Sequence, residues 1–111
     1  MSKELPDFLQ QVIKKYPKIW VKYQELGSEI GSLEGLDLKS QKLVKLGIAI
    51  GAKMEGAVHA HVRRCKNAGA SDQEIYHAAM LAITTIGWPS AIAATSWIND
   101  ILKVIETEKE D

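Results

Sequence analysis

At 111 residues, 46% of them apolar, the chain has the size of one domain spanning 1–111, with enough apolar side chains for a core. Lys and Arg together number 14, as do Asp and Glu, and a net charge of zero excludes a nucleic-acid backbone as main partner, since that needs a basic face. A single cysteine excludes an internal disulfide, MSKELPDF has no leader-like apolar run, and no window nears the roughly 18 consecutive apolar residues of a membrane span, so a cytoplasmic chain without membrane contact is expected.

In chain order, Pro6 and Asp7 suit the first turn of a short helix to about Lys15, with Phe8, Val12 and Ile13 on its apolar side. Pro17 opens a second helix to about Ile30, whose apolar positions are Ile19, Trp20, Tyr23, Leu26 and Ile30. GSLEGL at 31–36 reads as a turn. Asp37 is an N-cap for a third helix reaching about Lys53, with Leu38, Leu43, Leu46 and Ile50 as its apolar line. Glycine inside a helix costs about 1 kcal/mol relative to alanine. Gly47 and Gly51, four apart on one face, therefore imply another helix packed closely there.

The stretch MEGAVHAHVRRCKNAGAS, from Met54 to Ser71, carries two histidines and the only cysteine. At about 100° per residue, Met54, Ala57, Val58, His61, Cys65 and Ala68 share one side of a fourth helix, and Glu55, His59, Arg63 and Lys66 another. His61 and Cys65 are then neighbours on the buried side, while His59 pairs with Glu55 and faces water. Gly69 suits the positive φ that closes such a helix, and Ser71 with Glu74 forms a capping box for the next. The fifth helix, to about Ile86, is apolar or small nearly all round, which predicts a central position. Gly87-Trp88-Pro89 breaks it, Pro89 opens a last helix to about Ile105, and the charged tail ETEKED is expected to fray. No stretch alternates as a strand does, so the fold class is all-α, with five to six helices. So much apolar helix surface in so short a chain points to a homo-oligomer.

From Leu36 to Ala94 the sequence resembles the carboxymuconolactone decarboxylase family, which includes the alkylhydroperoxidase D-like proteins. LDLKSQKL, AHVRRCKNAGAS, the DQEI that follows and GWPSAIAA carry the resemblance. It implies a small all-helical fold assembled into trimers or hexamers. The redox branch of the family uses two cysteines separated by two residues, with a histidine four after the second. With His61 in that histidine position, the cysteine positions hold Met54 and Ala57, the acidic relay position holds Lys42, and the relay histidine falls on Gly56. Thiol–disulfide exchange needs an attacking thiolate and usually a resolving thiol. That chemistry does not carry over.

The decarboxylases proper lack the cysteine pair and keep a histidine in a similar HVRxxxNxG pattern. The resemblance thus implies a non-redox lyase or isomerase without a cofactor, acting on a small-molecule carboxylate. Removing CO2 from a carboxylated unsaturated lactone needs a cation to hold the carboxylate and a weak acid to protonate the carbon left behind. His61 suits the acid/base role, its ordinary pKa lying near neutrality. Lys42 or Arg64 suits the first role, and His77, in line with Thr84 on the fifth helix, is a candidate to reach the same cavity. Lys42 and Lys45 flank the apolar line of the third helix and could face an acidic ligand, although a solvated lysine is the commoner case.

Two other readings stand beside this one. Cys65, one turn from His61, would give a one-cysteine antioxidant of the alkylhydroperoxidase or peroxiredoxin type, although a lone buried cysteine more often serves as a small hydrophobe. A non-catalytic oligomeric binding protein would have a closed or wholly apolar surround at His61. No metal site is expected, because His59 and His61 point to opposite sides of their helix and a zinc ion needs about four converging ligands.

Overall fold

A computed structural model describes residues 6–110. Six helices and no strand occur among them: α1 (Asp7–Lys15), α2 (Pro17–Gly31), α3 (Leu38–Gly51), α4 (Glu55–Asn67), α5 (Asp72–Ile86) and α6 (Trp88–Glu110). The protein is all-α. None of these helices is long and apolar enough to cross a membrane. The chain divides between Leu36 and Asp37 into two compact units.

The first unit is the pair α1 and α2. They part at Tyr16, which has φ −128° and ψ 61°. A residue before proline is pushed out of the helical region, so Pro17 both ends α1 and opens α2. The Trp20 and Tyr23 rings stack at 5.8 Å, and neither helix has a fully buried side chain.

The second unit sets α3 against α4 and α5, and α6 against the same two, so that the four helices close a ring around one core. Leu46 and Ile50 of α3, Val58 and Val62 of α4, Ile75 of α5 and Ile98 of α6 are its largest buried side chains, with Cys65 among them. The helix starts are built as their sequences require. Asp37 accepts a hydrogen bond from the Ser40 amide at 2.7 Å. The Glu74 amide donates to Ser71 Oγ at 3.1 Å while the Ser71 amide donates to Glu74 Oε1 at 2.8 Å, completing the capping box. Such a cap stabilises by about 1 kcal/mol.

Two helix ends use the same six-residue closure. After α4, Gly69 takes φ 92°, and the Gly69 and Ala70 amides donate to the Lys66 and Cys65 carbonyls at 3.0 and 2.9 Å. After α3 the Lys53 and Met54 amides donate to the Ile50 and Ala49 carbonyls at 3.0 and 3.2 Å, and Lys53 stands at φ 59° where a glycine is usual. So α3 ends at Gly51 rather than Lys53, and Lys53 is the pivot of a tight α3–α4 hairpin.

Three expectations need correction. The fifth helix is not central within the chain: only Ile75 and Ala79 are buried, while Leu81 is 60% exposed. Ala78, Leu81, Ala82 and Ile86 line a groove with α3, and of these Leu81 is the exposed one while the other three also pack against the core. Gly47 and Gly51 lie in that same groove, and a Cβ on either would have no neighbour within 4 Å, so among the described residues of the second unit no helix packs closely on them. Finally, α6 starts at Trp88 and runs to Glu110, well beyond Ile105. Arg63 of α4 donates to Glu108 Oε1 at 3.1 Å, and that partner stabilises the charged tail as helix.

Candidate functional site

The hairpin pivoting on Lys53 sets the geometry of the polar face. In an antiparallel helix pair, residues equally far from the turn stand at the same height. Lys45 and His61 each lie eight residues from Lys53, and Lys42 and Arg64 each lie eleven. Lys42 and Lys45 are three apart on α3, and His61 and Arg64 three apart on α4, so each pair shares one face of its helix.

Two of these groups, His61 and Lys42, are shifted by their neighbours. The His61 ring is half-buried, and its pKa is held below the ordinary imidazole value by burial first, then by the charges of Arg64, Lys45 and Lys42. The Lys42 ammonium is likewise lowered, by burial and then by Lys45 and Arg64. Among the described residues no carboxylate acts on either group. Neighbouring bases are neutralised: Lys39 by Glu74 at 2.9 Å, Arg63 by Glu108 at 3.1 Å and Lys66 by Asp72 at 2.7 Å. Among the described residues Lys42, Lys45 and Arg64 form no ion pair. In addition, His61 Nδ1 is buried with no hydrogen-bond partner. A buried polar atom left unpaired costs about 1–3 kcal/mol. The arrangement thus offers three cations without counter-charge around an imidazole with an unused nitrogen, which suits an oxyanion.

Cys65 lies one turn beyond His61 and is fully buried. Burial pushes its thiol up to about 11, against a smaller opposing effect of Lys42. At neutral pH it is a protonated, inaccessible thiol, the reverse of an activated nucleophile.

The other histidines fall elsewhere. His59 does not simply face water, as the helical pattern suggested; its side chain is 31% exposed, and Nε2 sits 3.7 Å from Glu55 Oε2, too far for a hydrogen bond. The polar line of α4 turns toward α6, where Arg63 finds Glu108. His77 lines the α3–α5 groove, an apolar hollow of about 520 Å³ with Leu43, Gly47, Gly51 and Leu81, and His61 is not part of its wall. Thr84 bonds its own helix, donating to the Leu81 carbonyl at 3.4 Å. The structure therefore brings Lys42 and Arg64 to His61 and leaves His77 and Thr84 apart from it. Among the described residues no three His, Cys, Asp or Glu side chains converge as a metal site would require.

Lys45 stands level with His61, a placement that the helical pattern, in which it is a solvated lysine by default, does not give. Its signal was present but indirect: once the α3–α4 turn is centred on Lys53, counting outward pairs Lys45 with His61.

An all-α unit whose second and third turns of a helical hairpin present a histidine among lysine and arginine is the class of protein that this geometry defines. The carboxymuconolactone decarboxylase family model matches residues 16–100, and the chain belongs to that family. The match reaches beyond 36–94 at both ends and takes in α2. The crystal structure of TM1620 from Thermotoga maritima is similar in fold, with a TM-score of 0.69 at 23% sequence identity, over 92% of this chain and 93% of that one. None of the curated proteins matches the sequence significantly.

Proposed function

We propose that this protein is a non-redox lyase or isomerase acting on a small carboxylate, with His61 as acid/base and Lys42 and Arg64 holding the carboxylate. The observation that carries the reading is the His61 ring, half-buried beside three cations that no acid neutralises, with Nδ1 unpartnered. Membership of the decarboxylase family supports the reaction class.

For a decarboxylation, the bond between the carboxylate and the ring carbon breaks heterolytically. CO2 leaves, and the electron pair stays on the carbon, delocalised into the unsaturated lactone carbonyl. Lys42 and Arg64 orient the departing carboxylate and hold the developing negative charge nearby. His61 delivers a proton to the carbon and recovers one from water. In net terms, a carboxylate and a proton become CO2 and a C–H bond.

A thiol antioxidant has less support, because Cys65 is fully buried and its thiol is raised to about 11. The groove beside Gly47 and Gly51 favours a further proposal, that copies of the chain associate through this apolar face into a trimer or hexamer. A lone free thiol suits a reducing cytoplasm, the compartment proposed here.

The test is turnover of a carboxylated unsaturated lactone, followed by CO2 release. A positioned acid/base contributes about 10²–10⁴ in rate. His61→Gln is expected to lose at least a hundredfold, and a parent protein without turnover of such lactones, or a variant as fast as the parent, overturns the reading.

A further inference from the structure

We infer that the hairpin face around His61 captures an oxyanion and a proton together, with Lys45 as a third cationic ligand beside Lys42 and Arg64. This rests on the reading of that face as an anion site, but not on any turnover.

The need for it arises from the chemistry just described. A proton donor must first hold a proton, and His61 in the free protein is disfavoured from doing so by burial and by three positive neighbours. An oxyanion seated among those neighbours reverses part of the penalty. It offsets their charge and places a negative group beside the ring, and an opposite charge at close range favours the protonated imidazole. The buried Nδ1 has no hydrogen-bond partner in the free protein, so no internal hydrogen bond there fixes the charge of the ring and a bound anion acts on it through charge.

The groups acting on His61 are few. From α3 they are Lys42 and Lys45, and from its own helix Arg64; none comes from α5 or α6, and none is acidic. Cys65, the nearest other titratable side chain on α4, is neutral at physiological pH. Among the described residues no carboxylate pairs with Lys42, Lys45 or Arg64 in competition with an external anion. Lys45 stands level with His61 across the hairpin, whereas Lys42 stands level with Arg64, and Lys45 acts on the ring less than Arg64 but more than Lys42.

Binding linkage makes the coupling reciprocal. If an anion raises the proton affinity of His61, protonation of His61 tightens the anion by the same factor. The probe is inorganic sulfate, which keeps one charge state from pH 5 to pH 8. The ring resonances of the three histidines are followed by NMR against pH, with and without sulfate, at constant ionic strength set with sodium chloride. His61 is expected to titrate about one pH unit higher with sulfate bound. Sulfate affinity is expected to be severalfold tighter at pH 5 than at pH 8, approaching about tenfold only below the free His61 pKa. His61→Gln removes that pH dependence, and Lys45→Gln weakens sulfate binding and shrinks the His61 response, with Lys45→Arg restoring both. A His61 titration that ignores sulfate overturns the coupling, and a Lys45→Gln protein that binds sulfate like the parent removes Lys45 from the site. Sulfate coupling without lactone turnover would leave this inference standing and remove the lyase reading. Turnover without coupling would do the reverse.

Discussion

Replacing Lys53 by glycine should stabilise the protein. Lys53 holds φ 59° at the α3–α4 turn, and a side chain in that left-handed region costs about 1–2 kcal/mol that glycine avoids. Glycine gives back part of the gain, about 0.4–1 kcal/mol, because its unfolded chain is more flexible. The net expectation is a gain of about 0.5–1 kcal/mol, which for a domain of this size raises Tm by about 2–5 °C. Lys53→Ile, β-branched and hence worse in the same conformation, should lower Tm. Both are read by thermal unfolding followed by circular dichroism. The reasoning fails if Lys53→Gly lowers Tm, or if the isoleucine variant equals the parent. Either result would mean that Lys53 is not held left-handed, and the pairing of Lys45 with His61 across that turn would lose its basis.

Three further expectations follow from the same geometry. The folded-state pKa of His61 is depressed, so its contribution to stability is present above the unfolded value near 6.5 and is lost as pH falls through the lower folded value. Tm should therefore fall more steeply between pH 7 and pH 5 in the parent than in His61→Gln, and equal slopes would contradict it. Cys65, buried and with its thiol raised to about 11, should react with a chromogenic disulfide reagent at pH 8 at least a hundredfold more slowly folded than in urea, and a free-thiol rate in the native protein would be inconsistent with the structure. Leu81→Glu, on the rim of the α3–α5 groove, should shift the protein toward the monomer in light scattering coupled to size exclusion while its helical signal is retained; a parent that is already monomeric at micromolar concentration would refute the assembly proposed here.

Much of the architecture is legible in the sequence because it is written in local chemistry. Pro17, Asp37, Gly69 and the Ser71–Glu74 pair each act within one turn of helix, and each appears in the structure doing what its side chain or backbone dictates. Helical phase and family resemblance single out His61, with Lys42 and Arg64 as the cations proposed for it. What escaped depends on relations between helices. Lys45 looks like any solvated lysine until the register of the α3–α4 hairpin is known. That register depends on Lys53 taking a conformation that its residue type disfavours, which no periodicity signals. Gly47 and Gly51 announce room on α3 but not what fills it, and within the chain the room stays open. The charged tail looked too polar to hold a helix, since its partner Arg63 lies 45 residues away in sequence.

The most direct measurement of the central claim is decarboxylation run in deuterium oxide, with the product weighed by mass spectrometry and CO2 release timed in parallel. With His61 as the donor and water as its source of protons, the product should carry one solvent deuterium per CO2 released, and His61→Gln should slow release by at least a hundredfold. A His61→Gln protein that releases CO2 at the parent rate would contradict the account.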